Sequence, residues 1–139
     1  MKTFDVQSIE INTPYEKAFA YIADPHNLPE WAHAFQAISN DRARLWTPNG
    51  SVDIGLIAVA SHEHGTVDWV LTFPDGSMAR AYSRVIELGP DRCVYSFVLT
   101  APPVSLEQLE GTLQRQSEIL RAELVQLRRI LEESCQVCG

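Results

Sequence analysis

Ile11-Asn12-Thr13-Pro14-Tyr15-Glu16-Lys17-Ala18-Phe19-Ala20-Tyr21-Ile22-Ala23-Asp24-Pro25-His26-Asn27-Leu28-Pro29-Glu30-Trp31 carries two helix starts in close succession. Thr13 offers a hydroxyl for an N-cap, and Pro14 fits the first helical position, where a missing N–H costs nothing. Glu16 stands three residues past Thr13 as a capping-box partner. Tyr15, Ala18, Phe19 and Ile22 recur at helical spacing until Asp24-Pro25 stops the run. Asn27 with Glu30 repeats the device and predicts a second short helix over Leu28-Pro29-Glu30-Trp31-Ala32-His33-Ala34-Phe35. Two short helices meeting at a proline corner need a sheet or a longer helix to cover their apolar faces.

The flanking sequence supplies both. Phe4 to Ile11 is loosely alternating, rich in strand formers, and reads as a first strand. From Gln36 to Ala101 short β-branched and aromatic runs are separated by turn signals at Asn40-Asp41, Pro48-Asn49-Gly50, His64-Gly65, Pro74-Asp75-Gly76 and Gly89-Pro90-Asp91. This spacing predicts an antiparallel meander of about six strands, with Asn49-Gly50 and Asp75-Gly76 as the best hairpin turns. Beyond Ala101-Pro102-Pro103, Ser105 with Gln108 caps a long helix that reaches about Glu133. One stripe of that helix carries Leu106, Leu109, Leu113, Leu120, Leu124, Leu127 and Leu131.

With 139 residues, 45% of them hydrophobic and 21% charged, the chain suits one domain over residues 1–134 with a tail at 135–139. A net charge of −7 opposes a phosphate-binding surface, so no nucleic-acid partner is expected. The longest apolar run, Ile54 to Ala60, is far short of a membrane span, and no stable membrane insertion is expected. Met1 to Ser8 lacks the apolar core of a signal peptide, which points to the cytoplasm. Cys93, Cys135 and Cys138 make no disulfide framework.

The order strand, two short helices, meander and long helix, together with the Pro-capped helix, Asp24-Pro25 corner and Leu28-Pro29-Glu30-Trp31, resembles the START-like or SRPBCC superfamily, polyketide cyclase/dehydrase branch. Val67-Asp68-Trp69 with Phe73-Pro74-Asp75-Gly76, and Ser105 to Glu132, resemble its hairpin and closing helix. The resemblance implies an α+β helix-grip fold, in which a curved antiparallel sheet of six to seven strands wraps around the C-terminal helix. It also implies an apolar cavity that takes a hydrophobic small molecule such as a lipid or polyketide. It implies no single reaction, since such folds host carriers and enzymes alike.

Face assignment sharpens the candidate site. Val67, Trp69, Leu71 and Phe73 alternate with Asp68 and Thr72, so the odd residues face inward. A two-residue turn at Asp75-Gly76 pairs Phe73 with Met78 and turns Met78, Arg80, Tyr82 and Arg84 inward, making Arg80 an anion hook beside aromatic rings. A three-residue turn instead sends Ala79, Ala81, Ser83 and Val85 inward and leaves both arginines in solvent. The candidate ligand-binding residues are Trp69, Tyr82, Arg80, His33, Leu71 and Leu113. Trp31 reads as core.

Metal chemistry has little support. His62 and His64 would share one side of an extended chain, but they stand at a hairpin end without a third ligand. Cys135 and Cys138, placed after a helix C-terminus, sit where the dipole disfavours a thiolate. No metal and no cofactor is expected. Binding of a hydrophobic molecule leads the functional expectations. A cyclase/dehydrase-type enzyme that polarises a carbonyl with pocket residues comes second, and a module that forms a homodimer third.

Overall fold

The computed structural model describes residues 3–47, 50–100, 107 and 112–138. The chain runs β1 (Phe4–Ile11), α1 (Tyr15–Ala23), a 3₁₀ turn (Pro25–Asn27), α2 (Leu28–Trp31) and β2 (Phe35–Ser39). It continues through β3 (Arg42–Thr47), β4 (Gly50–Ser61), β5 (Thr66–Thr72), β6 (Met78–Gly89) and β7 (Arg92–Thr100) to the long helix α3 (Leu113–Cys138). The seven strands form one antiparallel sheet in the order β1-β7-β6-β5-β4-β3-β2, a meander closed by the return of β7 to β1. With its long closing helix, this is the expected α+β helix-grip fold.

One face of the sheet is the core face. Ile54 and Leu56 of β4, Val67, Trp69 and Leu71 of β5, Ala79 and Val85 of β6, and Cys93, Tyr95 and Phe97 of β7 are all buried on it. The helix α3 lies against β1, β7 and α2 and buries Leu120, Leu124, Leu127 and Leu131, the last four residues of the stripe read from the sequence, with Leu113 half-buried and Leu106 and Leu109 outside the described residues. Polar ties fix its register. Gln7 Nε2 donates to the Ser117 carbonyl at 2.7 Å, and the Asn12 and His33 amides donate to Glu132 Oε2 and Glu123 Oε2 at 2.9 and 2.7 Å. Because Gln7 meets Ser117 and Asn12 meets Glu132, helix and edge strand run in the same direction. No helix of the described residues is long and apolar enough to cross a membrane.

Local details differ from the sequence reading. The N-cap of α1 is Pro14, without a side-chain cap bond, and Thr13 is buried instead. Glu16 faces the β4–β5 turn and meets His62 Nε2 at 2.6 Å. The second helix ends at Trp31, because Ala32 turns extended and Phe35 starts β2. Asn27 donates from its side chain to the Tyr21 carbonyl rather than capping α2, and Glu30 accepts from the Tyr21 hydroxyl. Gly50 pairs with Thr47 as a strand residue, and Asn49 of the expected turn lies outside the described residues. Helix α3 continues to Cys138, past the expected end near Glu133. The expected cap at Ser105 and Gln108 lies outside the described residues.

The β5–β6 register decides between the two turn lengths and corrects the placing of Arg80 and Tyr82 in the site. Thr72 pairs with Met78 and Leu71 with Ala79, so the three-residue turn Pro74-Asp75-Gly76 is the one formed. Phe73 and Ser77 close it, with the Phe73 amide donating to the Ser77 carbonyl at 2.9 Å, and Gly76 takes φ +88°. The two-residue alternative would make Pro74 the closing partner of Ser77, and proline has no N–H for that bond. Ala79, Ser83 and Val85 therefore face the core, while Met78, Arg80, Tyr82 and Arg84 are exposed on the other face.

Candidate ligand-binding site

The layer between the sheet and the helices holds three buried hydrogen-bond donors from three elements. Trp31 closes α2, Trp69 is central in β5 and Tyr95 central in β7. Trp31 Nε1, Trp69 Nε1 and the Tyr95 hydroxyl are fully shielded, and none has a hydrogen-bond partner among the described residues. The Trp31 and Tyr95 rings meet edge to face with centroids 6.3 Å apart, and Phe97 supports Tyr95 from the next inward position at 6.1 Å. The Trp69 and Ser83 side chains stand close to the Tyr95 hydroxyl and favour its ionised form, an effect that burial outweighs. Ser83 spends its own proton on the Val67 carbonyl.

The alternation of small and large residues makes this arrangement. Trp69 pairs laterally with Ala58 of β4 and Ala81 of β6, so its indole is flanked by methyl groups. Ala58 and Ala81 retain partial solvent access although they lie on the core face of inner strands, while Trp69 between them is only 4% exposed. The inner face is thus incompletely covered beside the indole.

Electrostatics make the site a donor site rather than an acid–base pair. Burial pushes the Tyr95 hydroxyl far above its ordinary value, so it remains a neutral O–H. Among the described residues, the buried polar side chains other than tyrosine and tryptophan belong to Thr13, Thr47, Ser83 and Gln116, none of which ionises. Cys93 lies on the same face, but burial pushes its thiol up to about 11, which removes it as a nucleophile at neutral pH.

The residues singled out from the sequence divide by face. Trp69 and Leu71 are buried on the inner face, and Leu113 is half-buried in the first turn of α3. His33 is exposed beyond α2, where its amide rather than its imidazole is engaged. Arg80 and Tyr82 stand on the outer face, away from the helix, as the turn register requires. Tyr95 was missed, because Val94 and Val98 make its strand apolar on both faces and leave only Ser96 and Thr100 to mark the outward side. Trp31 was read as core, and its unpartnered N–H came to light only in three dimensions.

The histidine pair is used structurally. Residues 62–65 form a turn, so strand alternation does not align the two imidazoles. His62 packs against Tyr15 and Phe19 and pairs with Glu16, while the His64 carbonyl accepts from Arg84 Nε at 3.0 Å. No group of three or more metal-ligating side chains occurs among the described residues.

No protein-family model matches the sequence, and no curated protein matches it. Solved structures do match. A START superfamily protein from Mycobacterium smegmatis superposes with a TM-score of 0.64 at 14% identity, covering 95% of this chain and 99% of that one. An aromatase/cyclase, Zhui, from a Streptomyces species gives 0.68 at 11% identity over 98% and 97% of the two chains. A protein from Chromobacterium violaceum gives 0.70 at 13% identity over 94% and 99%. The fold is therefore START-like over nearly the whole chain, and at these identities the likeness concerns the fold.

Proposed function

We propose that this chain binds a hydrophobic small molecule bearing a hydrogen-bond-accepting oxygen, held between the sheet and the helices, as a carrier or sequestering protein. The observation that carries the reading is the set of three buried donors without partners, Trp31 Nε1, Trp69 Nε1 and the Tyr95 hydroxyl. Each unpaired buried donor costs about 1–3 kcal/mol, a large share of the stability of a small domain. An acceptor entering this layer recovers that cost, and we assign Leu71 and Phe97 of the same sheet face, with Leu113 of α3, as its apolar wall. Indole is a donor only, so the site selects carbonyl or ether oxygens over hydroxyl-poor hydrocarbons. His33 stands at the exposed margin of α2 as a rim residue.

A cyclase/dehydrase-type reaction is the second reading, favoured by the same donors, which would polarise a carbonyl. It also requires a base, and the described inner layer offers no ionised group, so binding ranks first.

The test uses fluorenone and fluorene, which share a ring frame and differ in one carbonyl. Titration followed by tryptophan fluorescence should give fluorenone at least about tenfold tighter binding than fluorene, the worth of one buried hydrogen bond. Tyr95→Phe should narrow that ratio without loss of fold. Equal affinities of the two probes for the unaltered protein, or no binding of either, would overturn the reading.

A further inference from the structure

The outer face of the sheet is unusually apolar for a surface left in water. Phe4, Val6, Ile57, Val59, Met78 and Tyr82 are all exposed there, each by 42% or more of its surface. The register places most of them in two neighbouring rows that Asp68 and Arg80 interrupt. Val6, Val98 and Tyr82 form one cross-strand row across β1, β7 and β6, Val59 lies on β4 opposite Asp68, and Ile57, Val70 and Arg80 form the adjacent row. Isolated monomers seldom expose a continuous apolar patch beyond several hundred Å².

We propose that two copies of this chain pack against each other through this outer sheet face, forming a homodimer. Two observations select a second copy as the occupant. The first is charge complementarity of the face with itself. Arg80 pairs laterally with Val70, which makes Asp68 its diagonal neighbour. Neither Arg80 nor Asp68 forms an ion pair among the described residues. A twofold interface sets each position opposite its mirror position, so an axis passing between these two brings each Asp68 carboxylate to the other copy's Arg80 guanidinium. A lipid surface would instead have to desolvate Asp68 in the middle of the patch without a partner.

The second observation is area. The five strands that carry the patch, at about 4.8 Å spacing and roughly eight residues of about 3.3 Å each, give a face of roughly 600 Å² per copy. Buried on both copies, that reaches the lower end of specific interfaces. The core face is untouched by this arrangement, so the dimer is independent of the ligand reading.

Sedimentation velocity of the full-length protein over a concentration series tests the proposal. The unaltered chain should sediment at twice its 15.6 kDa mass. Tyr82→Glu should yield a folded monomer with unchanged far-ultraviolet circular dichroism, and Val59→Lys on the neighbouring strand should do the same. Arg80→Asp should weaken association at least about tenfold, and adding Asp68→Arg should restore it. A single-chain mass for the unaltered protein at every concentration would overturn the proposal. So would a dimer indifferent to both Tyr82→Glu and Val59→Lys, or binding of the monomer to phosphatidylserine vesicles through this face.

Discussion

Gly65 is the backbone position on which the β4–β5 turn depends. It takes φ +76°, its amide donates to the Ser61 carbonyl, and its carbonyl accepts from the Val85 amide at 2.8 Å. A Cβ there would stand 2.2 Å from the Val85 carbonyl oxygen. Gly65→Ala should therefore cost more than about 3 kcal/mol in urea unfolding, combining a left-handed backbone with displacement of a neighbouring strand. Gly76 also has a positive φ, +88°, but meets nothing within 4 Å. Gly76→Ala should accordingly cost only about 1–2 kcal/mol, the backbone penalty alone. Cys93 offers a second check. Its folded thiol is raised to about 11, so the native state disfavours thiolate, and reactivity at pH 8 should appear only as the chain unfolds. In a chain carrying Cys135→Ser and Cys138→Ser, an aromatic disulfide reagent should leave Cys93 unmodified until denaturant is added. The sequence marks Gly65 as a turn residue and Cys93 as a strand residue, yet neither the approach of Val85 nor the burial of the thiol can be read without the neighbouring strands.

At the scale of elements, the leucine stripe of α3 is the feature most fully legible beforehand, because helical periodicity is a local property of the sequence. Leu127 is fully buried and Val125, two residues away, is 39% exposed. Leu127→Ala should destabilise by about 2–5 kcal/mol, whereas Val125→Ala should stay within about 0.5 kcal/mol, both measured by chemical denaturation. The β5–β6 hairpin shows the opposite case. Alternation fixed the inward face of β5 at Val67, Trp69 and Leu71, but two turn lengths gave β6 opposite faces. The missing N–H of Pro74 decides between them. Deleting Pro74 should leave Phe73 and Ser77 as the closing pair of a two-residue Asp75-Gly76 turn, so β6 keeps its register and Arg80 and Arg84 stay on the outer face. Cooperative unfolding by circular dichroism should persist, with only a modest shift in midpoint. The short helices were legible in position but not in capping, because Glu16 and Asn27 were drawn to partners outside their caps, and the buried Thr13 hydroxyl bonds to no local amide.

For the molecule as a whole, ligand linkage connects the site to stability. If an acceptor-bearing molecule satisfies the three buried donors, fluorenone at a hundredfold excess over its dissociation constant should raise the melting temperature by roughly 10 °C. Fluorene at the same concentration should raise it less, and differential scanning fluorimetry reads both. Strand and helix periodicity and turn chemistry by themselves determined the order of strand, short helices, meander and long leucine-striped helix, with Trp69 turned inward, and the helix-grip fold was implied by the resemblance this order carries. These signals repeat within a few residues and need no knowledge of distant neighbours. Tertiary structure alone decided that Arg80 and Tyr82 belong to the outer face, and that Trp31, Trp69 and Tyr95, from three elements far apart in sequence, gather as unpartnered donors. Whether a buried N–H finds a partner depends on atoms brought together by strand register and helix placement, and no local pattern encodes that.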